Sequence, residues 1–134
     1  TMKDIGIDVQ VNSTANYQDY LDKGDWDIFA GAFVSAPTGD PEYFFTSTVV
    51  SDAAKNYGKY SNAALDDIVT KMHETFDTDE RSKLAIEAQQ TILDDDAYFF
   101  VSHLNMGLVS KANVSGLAAH PCDYYEITAD LEVK

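Results

Sequence analysis

The run "IGIDVQVNSTANYQDYLDKGDWDIFAGAFV", Ile5 to Val34, decides the fold reading. Ile5, Ile7, Val9 and Val11 recur at every second position. That period predicts a strand over 5–12 with one buried face. Ser13 or Thr14 is placed to cap a short helix over 15–23, with Tyr17, Tyr20 and Leu21 on one side. Gly24 stands where a left-handed helix stop belongs. "WDIFAGAFV", 26–34, is apolar nearly throughout, which predicts an inner strand covered on both faces. Strand, helix, strand with short links is a βαβ unit, and its crossover is right-handed.

After that unit the pattern changes. "GAFVSAPTGDPEYFF", Gly31 to Phe45, packs Pro37, Gly39 and Pro41 together, with Asp40 before the second proline and three aromatics behind it. The prolines fix φ and restrain the residues before them, and Gly39 reaches a conformation closed to other residues. A stiff loop loses less entropy on binding a ligand. Tyr43, Phe44 and Phe45 either anchor the loop to the core or wall a pocket. From Ser35 to Tyr60 no long regular element is expected. A stretch of that length in a compact domain points to a functional or clamping role.

Two helices are predicted next, over 62–76 and 78–95. Asn62 or Ser61 caps the first, whose inner face is Leu65, Ile68, Val69, Met72 and Phe76. Asp77 and Glu80 form a capping box for the second. Its inner face is Leu84, Ala85, Ala88, Thr91 and Ile92, with Asp79 and Lys83 as an outer i,i+4 pair. "YFFVSHL" and "MGLVSK" predict a strand region over 98–110, broken near Asn105. The tail from Ala112 has no strong period.

The 134 residues suffice for one compact domain, and 45% hydrophobic content fits a globular protein and argues against disorder. The formal net charge is −14, from 23 acidic and 9 basic residues, which disfavours nucleic acid and anionic membrane and favours a cationic ligand. The same acidity also serves plain solubility. No apolar run approaches the roughly 18 residues of a membrane span. The start, "TMKDIGIDVQ", lacks a signal-peptide pattern and reads like a helix end entering a strand, as in a piece cut from a longer protein. Cys122, the sole cysteine, excludes an internal disulfide and a multi-cysteine zinc site.

Catalytic patterns are not found. His73, His103 and His120 lie outside any HxxxH or HExxH spacing. His73 is expected to be solvated, His103 partly buried beside Phe99 and Val101, and His120 a turn residue before Pro121. His103 is the one candidate metal ligand. Asp94, Asp95 and Asp96 end a helix, where their charge opposes the macrodipole, so they mark either a cation site or a solvated helix end. There is no GxSxG and no phosphate loop. The expected class is therefore not an enzyme, and no cofactor is implied.

Six segments in order carry a resemblance: "GIDVQV", "YLDKGDWDIF", the loop with "DPEYFF", "NYGKYSNAALDDIV", "DTDERSKLAIEAQQTILDDDAYFFVSH" and "NVSGL". Together they resemble the peptide- and nickel-binding family of ABC-importer solute-binding proteins (family 5) over essentially the whole chain. The resemblance implies an α/β fold: one lobe of a two-lobed, periplasmic-binding-protein-like (type II) structure, a mixed sheet flanked by helices. Residues 1–118 would be most of the second, C-terminal lobe, and 119–134 a tail that returns to the first. Ligand would bind between lobes that close about a hinge. The loop Phe33, Val34, Ser35, Ala36, Pro37, Thr38 and Asp40 would face that cleft. Peptide-binding members often carry an aspartate about four residues before the Asp-Pro, pairing with a peptide's amino terminus; Pro37 stands there. Nickel-binding members often show Ala-Pro ahead of Asp-Pro, similar to Ala36-Pro37 and Asp40-Pro41, with aromatics beside it where Val34 and Thr38 stand. The implied ligand is a nickel chelate or a peptide, and the implied partners are ABC permease subunits. The implied location is extracytoplasmic: the periplasm or the cell surface, with a lipoprotein anchor in a Gram-positive cell. Tyr124, Tyr125, Ile127 and Leu131 need covering, so the tail is expected to pack on this lobe or on a second copy, by pairing with an exposed strand edge. The competing classes are an enzyme fragment, such as a metal hydrolase domain, and a signalling or structural domain reusing the lobe.

Overall fold

A computed structural model describes residues 2–104, 107–119 and 127–134. Two compact units divide the chain, residues 1–31 and 32–134.

In the first unit a 3₁₀ turn, Met2–Ile5, precedes extended chain, and helix α1 spans Tyr17–Lys23. Asn16 is the N-cap residue without a side-chain cap; Thr14 Oγ1 instead accepts from the Asn16 N–H at 3.1 Å. Gly24 ends α1 as expected, at φ +66° with its N–H donating to the Leu21 carbonyl. Tyr17 stacks on Phe29, and Trp26 meets the same ring edge-on.

The second unit is built on helices. A single turn α2, Glu42–Phe44, runs on as a π-helical turn, Phe45–Val49, closed by the Val50 N–H donating to the Phe45 carbonyl. Helix α3 spans Ala63–Glu74 and α4 spans Thr78–Asp94. Asn62 Oδ1 accepts from the Ala64 and Leu65 amides and starts α3. Asp77 Oδ1 accepts from the Glu80 amide and starts α4. The faces predicted by helical spacing meet: Leu65, Val69 and Met72 pack with Leu84, Ala85, Ala88 and Ile92, and Phe45 and Val49 complete the core. Phe76 does not join them. It lies beyond the end of α3 and is 94% exposed, because the chain has already turned toward Asp77. Lys83 Nζ reaches Glu80 at 3.3 Å rather than forming the expected pair with Asp79.

The expected strands are a correction. None of 5–12, 26–34 or the described part of 98–110 is a strand. Ile5, Val11, Ile28, Phe99 and Val101 stand exposed. Alternation specifies which side of a segment wants cover; it does not supply the neighbour whose N–H and C=O groups make a ladder. The mixed sheet therefore does not form among the described residues. The sheet there is a two-stranded antiparallel one, β1 Val114–Ser115 with β2 Glu132–Val133, in register Val114 with Val133 and Ser115 with Glu132. The tail thus does find a strand edge, within the "NVSGL" segment. Asn113 fixes the end: its carbonyl accepts from the Lys134 N–H at 2.9 Å and its Nδ2 donates to the Lys134 carbonyl. Gly116 at φ +79° lets the chain pass, since a Cβ there would stand 1.8 Å from the Asp130 carbonyl oxygen. Leu131 is half-buried and Ile127 exposed. The readings of Asn105, His120, Cys122, Tyr124 and Tyr125 lie outside the described residues.

The long loop before α3 clamps itself. Asn56 Nδ2 donates to the carbonyls of Val50 and Tyr60, and its Oδ1 accepts from the Tyr60 amide. Ser51 caps onto Asp66 of α3 through its amide and its hydroxyl, at 3.0 and 2.6 Å. Asp94, Asp95 and Asp96 are all exposed, which fits the solvated helix end of the two readings, and Asp95 has protein partners as well. Asp95 Oδ2 accepts from Tyr60 Oη at 2.5 Å and from Asn62 Nδ2 at 2.7 Å, tying the end of α4 to the start of α3.

Candidate ligand-facing loop

The loop from Phe33 to Asp40 is held at both ends. At its start the Phe33 ring stacks on Tyr43, with centroids 5.8 Å apart, and meets Phe44 edge-on. The Lys55 ammonium lies 4.9 Å from the Phe33 centroid, a cation–π contact. Phe44 continues the aromatic chain inward to Phe45 and along the surface to Tyr98 and the exposed Phe100. The aromatics after the prolines therefore anchor: Phe45 is buried in the core and Phe44 packs against it. Tyr98 Oη donates to the Thr48 carbonyl, and burial raises the pKa of this phenol.

At the other end Ala36 to Gly39 is a turn, with the Gly39 N–H donating to the Ala36 carbonyl at 2.9 Å and Gly39 at φ +82°. Asp40 follows with both oxygens engaged. Oδ1 accepts from the Glu42 amide at 2.9 Å, a side-chain turn that sets Pro41 at the start of α2. Oδ2 accepts from Arg81 Nη2 at 2.6 Å.

Arg81 is the hub, with a side chain only 19% exposed. Nη2 also donates to Glu42 Oε2 at 2.7 Å, and Nη1 to the carbonyls of Met72 and Thr75 at 2.5 and 3.0 Å. One guanidinium thus joins the loop, α2, the end of α3 and the start of α4. Its planar fork suits that task where a lysine's single point charge does not. The hydrogen bond to Glu42 is the main cause holding the Arg81 pKa above its usual range. Burial alone would raise the Glu42 pKa, but hydrogen bonds from Arg81 and His73 overcome it, and the carboxyl sits below its ordinary value. His73 Nδ1 lies 2.7 Å from Glu42 Oε1, with most of its ring in solvent as expected.

Of the predicted site residues, Phe33, Val34, Ser35 and Thr38 are exposed, while Ala36, Pro37 and Asp40 are half-buried. They form one continuous loop. His103 is apart from them in sequence and is exposed rather than partly buried, because its segment is not in a sheet. Among the described residues no group of three or more His, Cys, Asp or Glu side chains is placed to share a metal ion. No described helix is long and apolar enough to cross a membrane.

Sequence reasoning passed over Arg81, Glu42 and Lys55. Arg81 had a signal: it is the one arginine in the sequence, four residues after the α4 cap. A cation there opposes the helix dipole and requires acidic partners.

No family model and no solved structure matches the chain. Two curated relatives do. The chain is 25% identical over 126 residues to the nickel-binding protein NikA of Staphylococcus aureus (strain NCTC 8325 / PS 47), covering 93% of this chain and 26% of that protein. It is 29% identical over 126 residues to the probable D,D-dipeptide-binding periplasmic protein DdpA of Escherichia coli (strain K12), covering 90% of this chain and 24% of that protein. Both are solute-binding proteins of the family that the six segments resemble. The chain spans about a quarter of the length of each.

Proposed function

From this chain's kinship with nickel- and dipeptide-binding solute-binding proteins, we propose that it contributes one wall of a ligand site in the substrate-binding component of an ABC importer. The ligand is small: a nickel chelate or a short peptide. It is captured outside the cytoplasm, between two lobes, and handed to a membrane permease. Residues 1–118 belong to the second lobe and 119–134 lead back toward the first. The chain carries binding rather than catalysis. The contact residues are Phe33, Val34, Ser35, Ala36, Pro37 and Thr38, while Asp40 holds the loop's base.

The observation that supports this reading is the double anchoring of the loop. A segment fixed by Phe33 on Tyr43 at one end and by Asp40 on Arg81 at the other, with Ser35 and Thr38 exposed between, is preorganised. Little entropy remains to be lost on ligand contact. The acidic field, at −14, raises the local concentration of a cationic ligand.

Calorimetry of the intact protein with a nickel–histidine chelate and with D-Ala-D-Ala tests the proposal. One of the two is expected to bind, and Pro37→Asp is expected to strengthen binding of a peptide amino terminus by roughly 1.5–3 kcal/mol, the worth of a charge-assisted hydrogen bond. Failure of both probes to bind, with and without Pro37→Asp, refutes it.

A further inference from the structure

We propose that Arg81 is a positioning residue for the ligand-facing loop, making the shape of Ala36–Asp40 depend on the turn between α3 and α4. The inference rests on the reading that this loop meets ligand, and its test separates the two.

The geometry has two halves that share one guanidinium. Nη1 is committed to the Met72 and Thr75 carbonyls, at the end of α3. Nη2 is committed to Asp40 and Glu42, at 2.6 and 2.7 Å. The helix ends are rigid, because Met72 is fully buried and Asp77 caps α4 four residues before Arg81. Between the Phe33 stack and Asp40 the loop is more open than the helix ends: Ser35, Thr38 and Gly39 are exposed. Its turn rests on the Gly39–Ala36 hydrogen bond and on Asp40, whose Oδ1 orients the Glu42 amide. Position therefore passes from the helices to the loop, through Asp40, and not the reverse. A staple that served the helix pair alone would leave the loop unchanged when the Asp40 bond is cut.

Backbone amide exchange in the intact protein distinguishes these roles. Arg81→Lys and Asp40→Asn are compared with the parent at Gly39, and at Val69 and Ala88 in the helix core. Positioning predicts that Gly39 exchanges about tenfold faster or more in both variants, the scale of one lost charge-assisted hydrogen bond, while Val69 and Ala88 keep their rates. Unchanged Gly39 exchange in both variants overturns the inference. If Arg81→Lys loosens the core as well, Asp40→Asn decides, since it removes the carboxylate that Nη2 holds while leaving Arg81 on the Met72 and Thr75 carbonyls. Dissociation constants for the nickel–histidine chelate and for D-Ala-D-Ala are measured on the same samples. For whichever probe the parent binds, a weakening of about tenfold is expected. A loosened Gly39 with an unchanged dissociation constant confirms Arg81 as the positioner of this loop and refutes the loop as a ligand wall.

Discussion

Replacing Gly116 by alanine tests how the C-terminal segment is held. Two costs combine at this position. An L-residue at φ +79° costs roughly 1–2 kcal/mol. The new Cβ also meets the Asp130 carbonyl oxygen at 1.8 Å, where no real contact falls under 3.0 Å, so more than 1 Å of backbone displacement is required. The Lys134 N–H sits 2.9 Å from the Asn113 carbonyl, and a shift of that size takes it out of bonding range. With two residue pairs and the Asn113 clip contributing about 1 kcal/mol per bond, the β1–β2 pairing is too weak to absorb the strain. The expected result is local: protection of the Lys134 amide disappears, while the thermal midpoint set by the α3–α4 core hardly moves, since no residue of β1 or β2 belongs to that core. Gly39→Ala is the matched control. Its φ is +82° but nothing lies within 4 Å of the added Cβ, so only the conformational cost applies. A Lys134 amide as protected in Gly116→Ala as in the parent would refute the reasoning.

Three further outcomes are expected. Burial, then the hydrogen bond to Asp95, raises the Tyr60 pKa to about 12, so this phenol should ionise as a late step, well above its ordinary 10.0, in an absorbance titration. A raised phenol pKa means that the Tyr60–Asp95 link supports the fold fully below pH 10.0 and is lost as pH rises toward 12, and Tyr60→Phe should abolish that alkaline step. Glu42 titrates below its ordinary 4.5, so its link to Arg81 contributes stability above that pH and loses it as pH falls through the lowered value; acid denaturation of Glu42→Gln should lack this component. Leu65→Ala, at a fully buried position in α3, should cost roughly 2–5 kcal/mol in urea denaturation, and a loss under about 1 kcal/mol would mean that the core is not the one described.

Helices were legible in the sequence where local chemistry and buried spacing coincide. Asn62, Asp77 and Gly24 mark helix ends by side-chain or backbone chemistry that acts within a few residues. Leu65, Val69, Met72, Leu84, Ala88 and Ile92 supply each other's cover. The strands were not legible in the same way, because Ile7, Val9, Phe99 and Val101 announce a need for a neighbour that alternation cannot identify. The partners of the acidic triplet were hidden for a related reason. Asp95 is answered by Tyr60 and Asn62, more than thirty residues away, and no local pattern encodes that pairing. The loop itself was legible from Pro37, Gly39 and Pro41. Its fastening to Arg81 was open only to someone asking why the one arginine sits near a helix N-terminus.

The most direct test of the ligand-wall proposal is amide exchange across the loop, with and without the probe that calorimetry finds to bind. The intact protein is compared in the free and saturated states, and Val69 serves as the internal reference. Slower exchange over 33–39 on ligand addition, with Val69 unchanged, is the predicted result. Measured binding that leaves 33–39 unprotected contradicts it.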